Sequence, residues 1–565
     1  MRKPMVLASE RTVRPTPVAA LFLLAFATLA AVAAARDFRT ADEAAHIIRG
    51  YAYLITRDAR LDPDHPPLVN ALSALPLLWI DDGWAVDLSE SNPAWRAADK
   101  DAVRQQLRPY VNQPHALRLA RLPNIGLGLL LGALVYRWTR DAAVEHAALA
   151  SLFFYALCPN LLAHAHLSTT DAGMALGAFA TTYAVWRYAR RPSWARLLMV
   201  TAMGGLASLT KYSILMTFVF LPPLAALLAA LPDAGKPRGR RALASFLAVG
   251  LALALGWGAA LVIFYGTQTR VIRELEPSAG RWIEIVGAAR AFVGGDGWLA
   301  DQVDHVLNEV PLPAPYYVQG ILINVILHNA RGHWSYLHGQ VLSHGSPWYF
   351  PIAIAIKTPL PTLILLALGG ARGGRAIWRR LTTARAAPCM LPASVLLTWL
   401  VPPLAFLAWL TQSQINLGLR HALMIYPFLY ALVGTTAAQL WRTRAGRALV
   451  AALVLWYVRA NAFIFPNYLT YFNELIGGPR NGYLWLVDSN LDWGQDRSEV
   501  KAYEAAHGVD LDENPGCSPR RGWIAVSARY LVGMMDGDPA CYAWTEGHLI
   551  DRIGYTWFVF SIPEE

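Results

Sequence analysis

Eleven apolar runs separated by short polar loops constrain this chain more than any other feature. They are Pro17–Ala35, His115–Tyr136, Ala147–Leu162, Ala172–Trp186, Leu197–Leu209, Ile214–Leu231, Ala242–Phe264, Tyr349–Leu368, Met390–Leu410, Ala422–Leu440 and Ala448–Phe465. Runs of this kind suit the hydrocarbon core of a bilayer, which about twenty apolar residues span as a helix. Only 16% of the 565 residues are charged, against roughly a quarter in soluble proteins. The expected fold is a polytopic α-helical membrane protein of about eleven transmembrane helices. Its 21 Trp fit that class, because indoles collect at water–lipid boundaries.

Charge position gives the orientation. With the N-terminus inside, Arg2, Lys3, Arg11 and Arg14 lie on the cytoplasmic side. So do Arg137 and Arg140, then Arg187, Arg190, Arg191 and Arg196, then Lys236, Arg238, Arg240 and Arg241. Arg372, Arg375, Arg379, Arg380 and Arg385, and finally Arg442, Arg444 and Arg447, follow them. Every strongly basic short loop falls on one side, as the positive-inside rule requires. The formal charge of +10 is therefore an orientation signal and not a nucleic-acid surface. The first run ends in AVAAARD, which also resembles a secretory cleavage site. Either reading leaves Asp42 on the far side of the membrane.

The outer face then collects residues 36–114 and 266–348, the segment HAHLSTTD at 164–171, and the tail 466–565. The division expected is a membrane domain over 1–465 and a small α/β extracytoplasmic domain over 466–565. Strand-like runs in that tail are Gly522–Val526 and Tyr555–Ile562. Asp64–Trp79 is short and Pro-rich, and reads as a helix in the interface. Cys158 and Cys389 sit in or beside apolar runs and read as inert. Cys517 and Cys541 share the tail, where an oxidising compartment would allow a disulfide.

The densest polar stretch is Thr40–Leu68, directly after the first run. Asp42 and Glu43 are either a solvated acidic pair or a general base beside an acceptor hydroxyl. His46 lies one helical turn beyond Asp42, on the same face. Asp171 is either a helix cap or a second acid facing the first. A divalent metal could bind through Asp42, Glu43, Asp171 and His164 or His166, but no spacing demands one. Lys211, Lys357 and Arg420 either snorkel at the ends of spans or hold a lipid phosphate. His328, His333, His338 and His344 match no zinc spacing; they read as loop residues that could contact sugar or lipid. Asp301, Asp304, His305 and Asn308 read as the solvated face of an exposed helix. Asp488, Asn490, Asp492, Gln495 and Asp496 cluster behind two turns, as a capped turn or as substrate contacts. No phosphate-loop motif, HExxH or GxSxG occurs, so an ATP motor, a zinc protease and a serine-hydrolase elbow are excluded.

Several motifs in order resemble one family. They are the acidic pair Asp42–Glu43, HPPL at 65–68, TTD at 169–171, LTKYS at 209–213, FPIAIAIKTPL at 350–360, NLGLRHALMIYPF at 416–428 and FNELIGGPRNGYLWLVDSNLDWGQD at 472–496. Together they resemble the polyprenyl-phosphate-dependent GT-C glycosyltransferases, namely family 39 protein O-mannosyltransferases and the aminoarabinose transferases of lipid A. The resemblance implies a GT-C fold, a sugar donor on a polyprenyl monophosphate, and inverting transfer to an acceptor hydroxyl. It implies Asp42 as base with Glu43 beside it, and Asp171 as the second acid. The aminoarabinose branch often carries Lys before Pro-Pro-Leu at the donor phosphate, where this chain has His65. Arg420, then Lys211 and Lys357, and His65 itself stand as candidates to hold the donor phosphate, with His46, His344, Asp492 and Gln495 as substrate contacts. The implied setting is a bacterial plasma membrane, with protein, glycan or lipid as the acceptor. Two other classes share the spans: a lipid or sugar transporter or flippase, and a non-catalytic membrane scaffold.

Overall fold

A computed structural model describes residues 15–80, 86–231, 238–276, 278–383 and 391–563. Arg2, Lys3, Arg11, Arg14, Lys236, Arg385 and Cys389 lie outside the described residues. Among those described, seven helices are long and apolar enough to cross a membrane. They are Thr16–Arg36, Pro114–Ala142, Tyr212–Ala230, Gly239–Tyr265, Ala393–Leu410, Leu419–Leu440 and Arg444–Ile464. Two bent pairs bring the number to nine: Glu145–Ala156 with Pro159–Ala165 at 63°, and Tyr349–Lys357 with Leu360–Ala376 at 110°. The two remaining expected spans are the helices Asp171–Arg190 and Trp194–Ser208, which fall short of that standard. The first is buried along most of its length, so other helices rather than lipid surround it. Leu21, Leu24, Leu247, Leu251, Leu255, Leu404 and Leu455 point outward from the bundle, as a lipid-facing surface requires.

The sharper bend falls at Lys357–Thr358–Pro359. Proline lacks a backbone N–H and disfavours helix at the residue before it. The break strips carbonyls of their helical partners, and in a membrane each must be satisfied. Asn473 Nδ2 donates to Ala355 O and Thr358 O, both at 2.7 Å. Asn473 N donates to Ile356 O at 2.8 Å, and Asn160 Nδ2 to Lys357 O at 2.6 Å. The segment after the last span is thus stitched into a broken helix far back in the chain.

Pro67–Ala74 and the 3-10 turn Leu75–Trp79 form the short apolar helix expected beside the membrane. Beyond it, helices Ala279–Phe292 and Trp298–Glu309 build the second long loop. There Asp304 pairs with Arg290 and His305 Nδ1 with Glu309 at 3.1 Å.

The tail carries a four-stranded sheet in the order Asp512–Glu513, Gly522–Ser527, Trp557–Ile562, Leu549–Ile553. The first pair is parallel and the others antiparallel. Cys517 and Cys541 are bonded. Tyr468, Phe472, Trp493 and Phe560 of the tail pack with Trp399 and Tyr430 in one buried core.

Candidate active site

Asp42 stands just before the helix Glu43–Thr56 and makes no capping bond, so its carboxylate is left for other work. Its Oδ2 lies 3.1 Å from Arg420 Nη2, and its side chain is 40% exposed. Arg420 Nη1 lies 3.8 Å from Asp171 Oδ2. Lys211 Nζ donates to Asp171 Oδ1 at 2.7 Å. Two acids and two cations, from four separate parts of the chain, therefore meet at one place. Asp171 is the first residue of its helix, after Thr170 in the capping position.

Arg420 is held from the tail. Its guanidinium lies 4.3 Å over the Trp493 ring, and its Nε donates to Ser489 Oγ at 3.1 Å. Ser489 Oγ donates in turn to Leu417 O at 2.7 Å, and Leu419 N to Asn490 Oδ1 at 2.9 Å. The approach needs Gly418, where a Cβ would stand 2.1 Å from Ser489 Oγ. Asp492 and Gln495 build the loop beneath. Asp492 Oδ2 faces Arg529 and its Oδ1 accepts from Gly494 N. Gln495 accepts from Trp493 N at 2.9 Å and donates to Leu491 O at 2.7 Å. Their polar atoms are turned into the protein rather than toward the acid pair.

Glu43 sits next to Asp42 in sequence but in different surroundings. It accepts from Arg121 Nε and Nη2 at 2.8 and 2.7 Å, and from Ser168 N and Thr40 N, both at 2.9 Å. Burial alone would raise its pKa; the Arg121 charge and these bonds overcome it and hold the carboxyl down to about 2. Arg121 also donates to Ala34 O, Asp37 O and Phe38 O. The pair ties the first span to the first loop. Beside it, His166 Nε2 meets Asp37 Oδ2 at 2.9 Å and its Nδ1 meets Leu162 O.

His46 and His65 stack with ring centres 4.8 Å apart. His46 Nδ1 faces Asn70 Oδ1 at 2.9 Å, and Asn70 Nδ2 donates to Asp62 Oδ2 at 2.5 Å. With its amide group spent on Asp62, Asn70 offers His46 only an acceptor. Nδ1 therefore carries the imidazole proton and Nε2 keeps a lone pair. Burial pushes both imidazoles below their usual range and lifts Asp62 to about 6. Arg49 bridges Asp62 and Asp64, and Lys100 also reaches Asp64.

Lys357 is turned away from the acid pair: Nζ donates to Leu469 O at 2.9 Å and to Asn490 O. His344 is exposed, and among the described residues no contact joins it to Asp42 or Asp171. For a metal, no three ligand atoms of Asp42, Glu43, Asp171, His164 and His166 lie within 4.8 Å of one another among the described residues. The acceptors of Glu43 and His166 are already engaged. Cys517, Asp536 and Cys541 come that close, but those cysteines are bonded to each other.

Reading the sequence alone misses Arg121, Trp493 and Ser489. Arg121 left a signal, an arginine inside an apolar run, and such residues are expensive unless paired. Trp493 left none beyond its place in DSNLDWGQD.

Residues 115–260 match the model of the family described as dolichyl-phosphate-mannose-protein mannosyltransferase. No curated protein is close enough in sequence to match the chain. Among solved structures, the S. cerevisiae protein O-mannosyltransferase Pmt1-Pmt2 complex bound to the sugar donor aligns at a TM-score of 0.53 with 13% identity. That alignment covers 81% of this chain and 90% of the yeast chain. ArnT from Cupriavidus metallidurans bound to undecaprenyl phosphate aligns over 97% of this chain and 100% of its own, at 12% identity and a TM-score of 0.31. The Archaeoglobus fulgidus oligosaccharyltransferase aligns over 87% of this chain and 58% of its own, at 13% identity and a TM-score of 0.39. With its spans, its broken helices and the match to the yeast enzyme, the chain is an integral membrane protein of the GT-C glycosyltransferase fold.

Proposed function

We propose that this protein moves a sugar from a polyprenyl-phosphate donor to an acceptor hydroxyl, with inversion, at the outer face of a bacterial plasma membrane. The N-terminus would be cytoplasmic and the tail extracytoplasmic. The observation that carries the reading is Arg420 standing between Asp42 and Asp171. The acceptor oxygen attacks the anomeric carbon opposite the phosphate, and the carbon–oxygen bond to phosphate breaks. The hydroxyl proton passes to Asp42, whose Oδ1 has no partner among the described residues. The bonding electrons leave on the phosphate oxygen. Protonation neutralises Asp42, so Arg420 loses one of its anionic partners as the departing phosphate gains a negative charge. Stabilisation is therefore greatest where charge develops. Lys211 adds a second cation, and His46 offers its Nε2 as a hydrogen-bond acceptor. Glu43, Lys357, Asp492 and Gln495 hold these groups in place.

The test uses the full chain in liposomes with a panel of synthetic polyprenyl-phosphate sugars, alongside mass spectrometry of envelope glycans with and without the gene. Release of polyprenyl phosphate with an inverted linkage on a product supports the proposal. Passage of the intact lipid-linked sugar across the bilayer with no bond change would replace it with transport.

A further inference from the structure

A second cleft lies where the span Arg444–Ile464 meets the tail, apart from the acid pair. It has a volume of about 300 Å³, and Arg459, Phe463, Tyr471, Phe472, Glu474 and Arg480 line it. Leu455, Arg459 and Phe463 follow one another at four-residue spacing, on one face of the helix. Leu455 is 71% exposed and Phe463 65% exposed, so this face looks out of the bundle toward lipid. An arginine in such a stripe is costly unless its head reaches water or an anion. Arg459 lies little more than a turn from the helix end at Ile464, close enough to reach the headgroup layer.

Arg480 arrives from the other side. Gly477 and Gly478 have φ of 79° and 84°, which turns the chain and presents Arg480 at the start of the 3-10 segment Pro479–Leu484. Arg552 Nη1 donates to Arg480 O at 3.2 Å and fixes that backbone. Neither Arg459 nor Arg480 has a carboxylate or hydrogen-bonded partner for its guanidinium among the described residues. Glu474, the acid of the cleft, accepts from Trp456 Nε1 at 2.6 Å. Tyr471 is 3% exposed and its hydroxyl has no hydrogen-bond partner.

We propose that this cleft binds the phosphate of a membrane lipid, gripped by Arg459 and Arg480 with the acyl chains against Leu455 and Phe463. Guanidinium suits phosphate through paired, charge-assisted bonds. The site takes a lipid rather than a free ion because one of its arginines stands in an apolar stripe that only a chain-bearing ligand can cover. It is independent of the catalytic role of Asp42.

The test is native mass spectrometry of the full chain in detergent, titrated separately with phosphatidylglycerol and with undecaprenyl phosphate, and then challenged with inorganic phosphate. Wild type, Arg459→Gln, Arg480→Gln, the double variant and an Arg447→Gln control are compared. Both positions are exposed, so the variants should fold, and unchanged melting temperatures check this. The expected result is at least tenfold weaker retention of one lipid in the double variant, intermediate loss in each single variant, and no change in the control. Loss confined to undecaprenyl phosphate would keep the site and make the carrier lipid its occupant. Equal retention by the double variant overturns the proposal, as does displacement of the lipid by inorganic phosphate at equal concentration.

Discussion

The guanidinium of Arg121 and the carboxylate of Glu43 meet through two bonds of 2.8 and 2.7 Å, and neither side chain touches solvent. Removing one member of such a pair strands the other charge, at a cost of about 3–5 kcal/mol. Glu43→Ala and Arg121→Ala should each lower the melting temperature sharply or prevent purification. The acid limb carries a signature as well. Glu43 is held at about 2 against a usual 4.5. Its contribution is complete above the usual value and fades as pH falls toward the folded one. Melting curves from pH 6 to pH 3 should therefore be flatter for Glu43→Gln than for wild type.

Asp42 makes the opposite prediction. It is half-open to solvent and takes no part in capping, so Asp42→Asn should fold normally. Turnover should fall by roughly 10²- to 10⁴-fold, the usual range for a lost general base. Donor binding should hold or tighten, because Arg420 loses a competing anion. A variant with full turnover would remove Asp42 from the base role.

Arg420 is a bridge and a stacked plane at once, which Lys cannot imitate. Arg420→Lys keeps a cation beside both acids, so it should fold with a modest loss of stability while turnover falls strongly. Trp493→Leu removes the stacking, worth about 0.5–2 kcal/mol, and also leaves a gap in the core that Trp493 fills; it should raise the donor KM by several-fold to about tenfold and lower the melting temperature. Steady-state kinetics on both variants separate the two contributions.

These cases mark how far the residues could be read in advance. Apolar runs placed the spans, because lipid demands length and hydropathy and little else. The same logic put Asp42, Asp171, Lys211 and Arg420 within reach of one site. It could not say which way a side chain turns. Lys357 has the same charge as Lys211 but spends it on two carbonyls, Leu469 O and Asn490 O. Glu43 and Asp42 are neighbours, yet one is sealed by Arg121 and the other is open. Asp492 and Gln495 face inward because the loop under Trp493 needs its own polar atoms satisfied. Such outcomes depend on partners far away in the chain, which no local pattern records.

Asp62 predicts a second dependence on pH. Burial lifts it from 3.8 to about 6. A raised carboxyl favours the folded state most below 3.8, and that contribution disappears as pH rises through 6. Asp62→Asn should flatten stability between those values. Because Asp62 orients Asn70 and so His46, the same variant should also shift the pH profile of turnover.

The Cys517–Cys541 bond gives a test of orientation. Closing a loop of that separation is worth about 3 kcal/mol, and the bond persists only in an oxidising compartment. In intact cells, a membrane-impermeant maleimide should label the tail after mild reduction and not before. No labelling in intact cells under either condition, with labelling without reduction once the membrane is permeabilised, would argue for a tail facing the cytoplasm.

Phe38 N donates to Gln495 O at 2.7 Å and Ala41 N to Trp493 O at 2.9 Å, so the start of the first loop is sewn to the late DSNLDWGQD turn. A ribosome must translate through Gln495 before that seam can close. Nascent chains stopped anywhere short of it would insert their spans yet leave Arg420 without Trp493 and Ser489 to settle on. Assembly of the site therefore waits for a segment made long after Asp42 and Asp171 have left the ribosome.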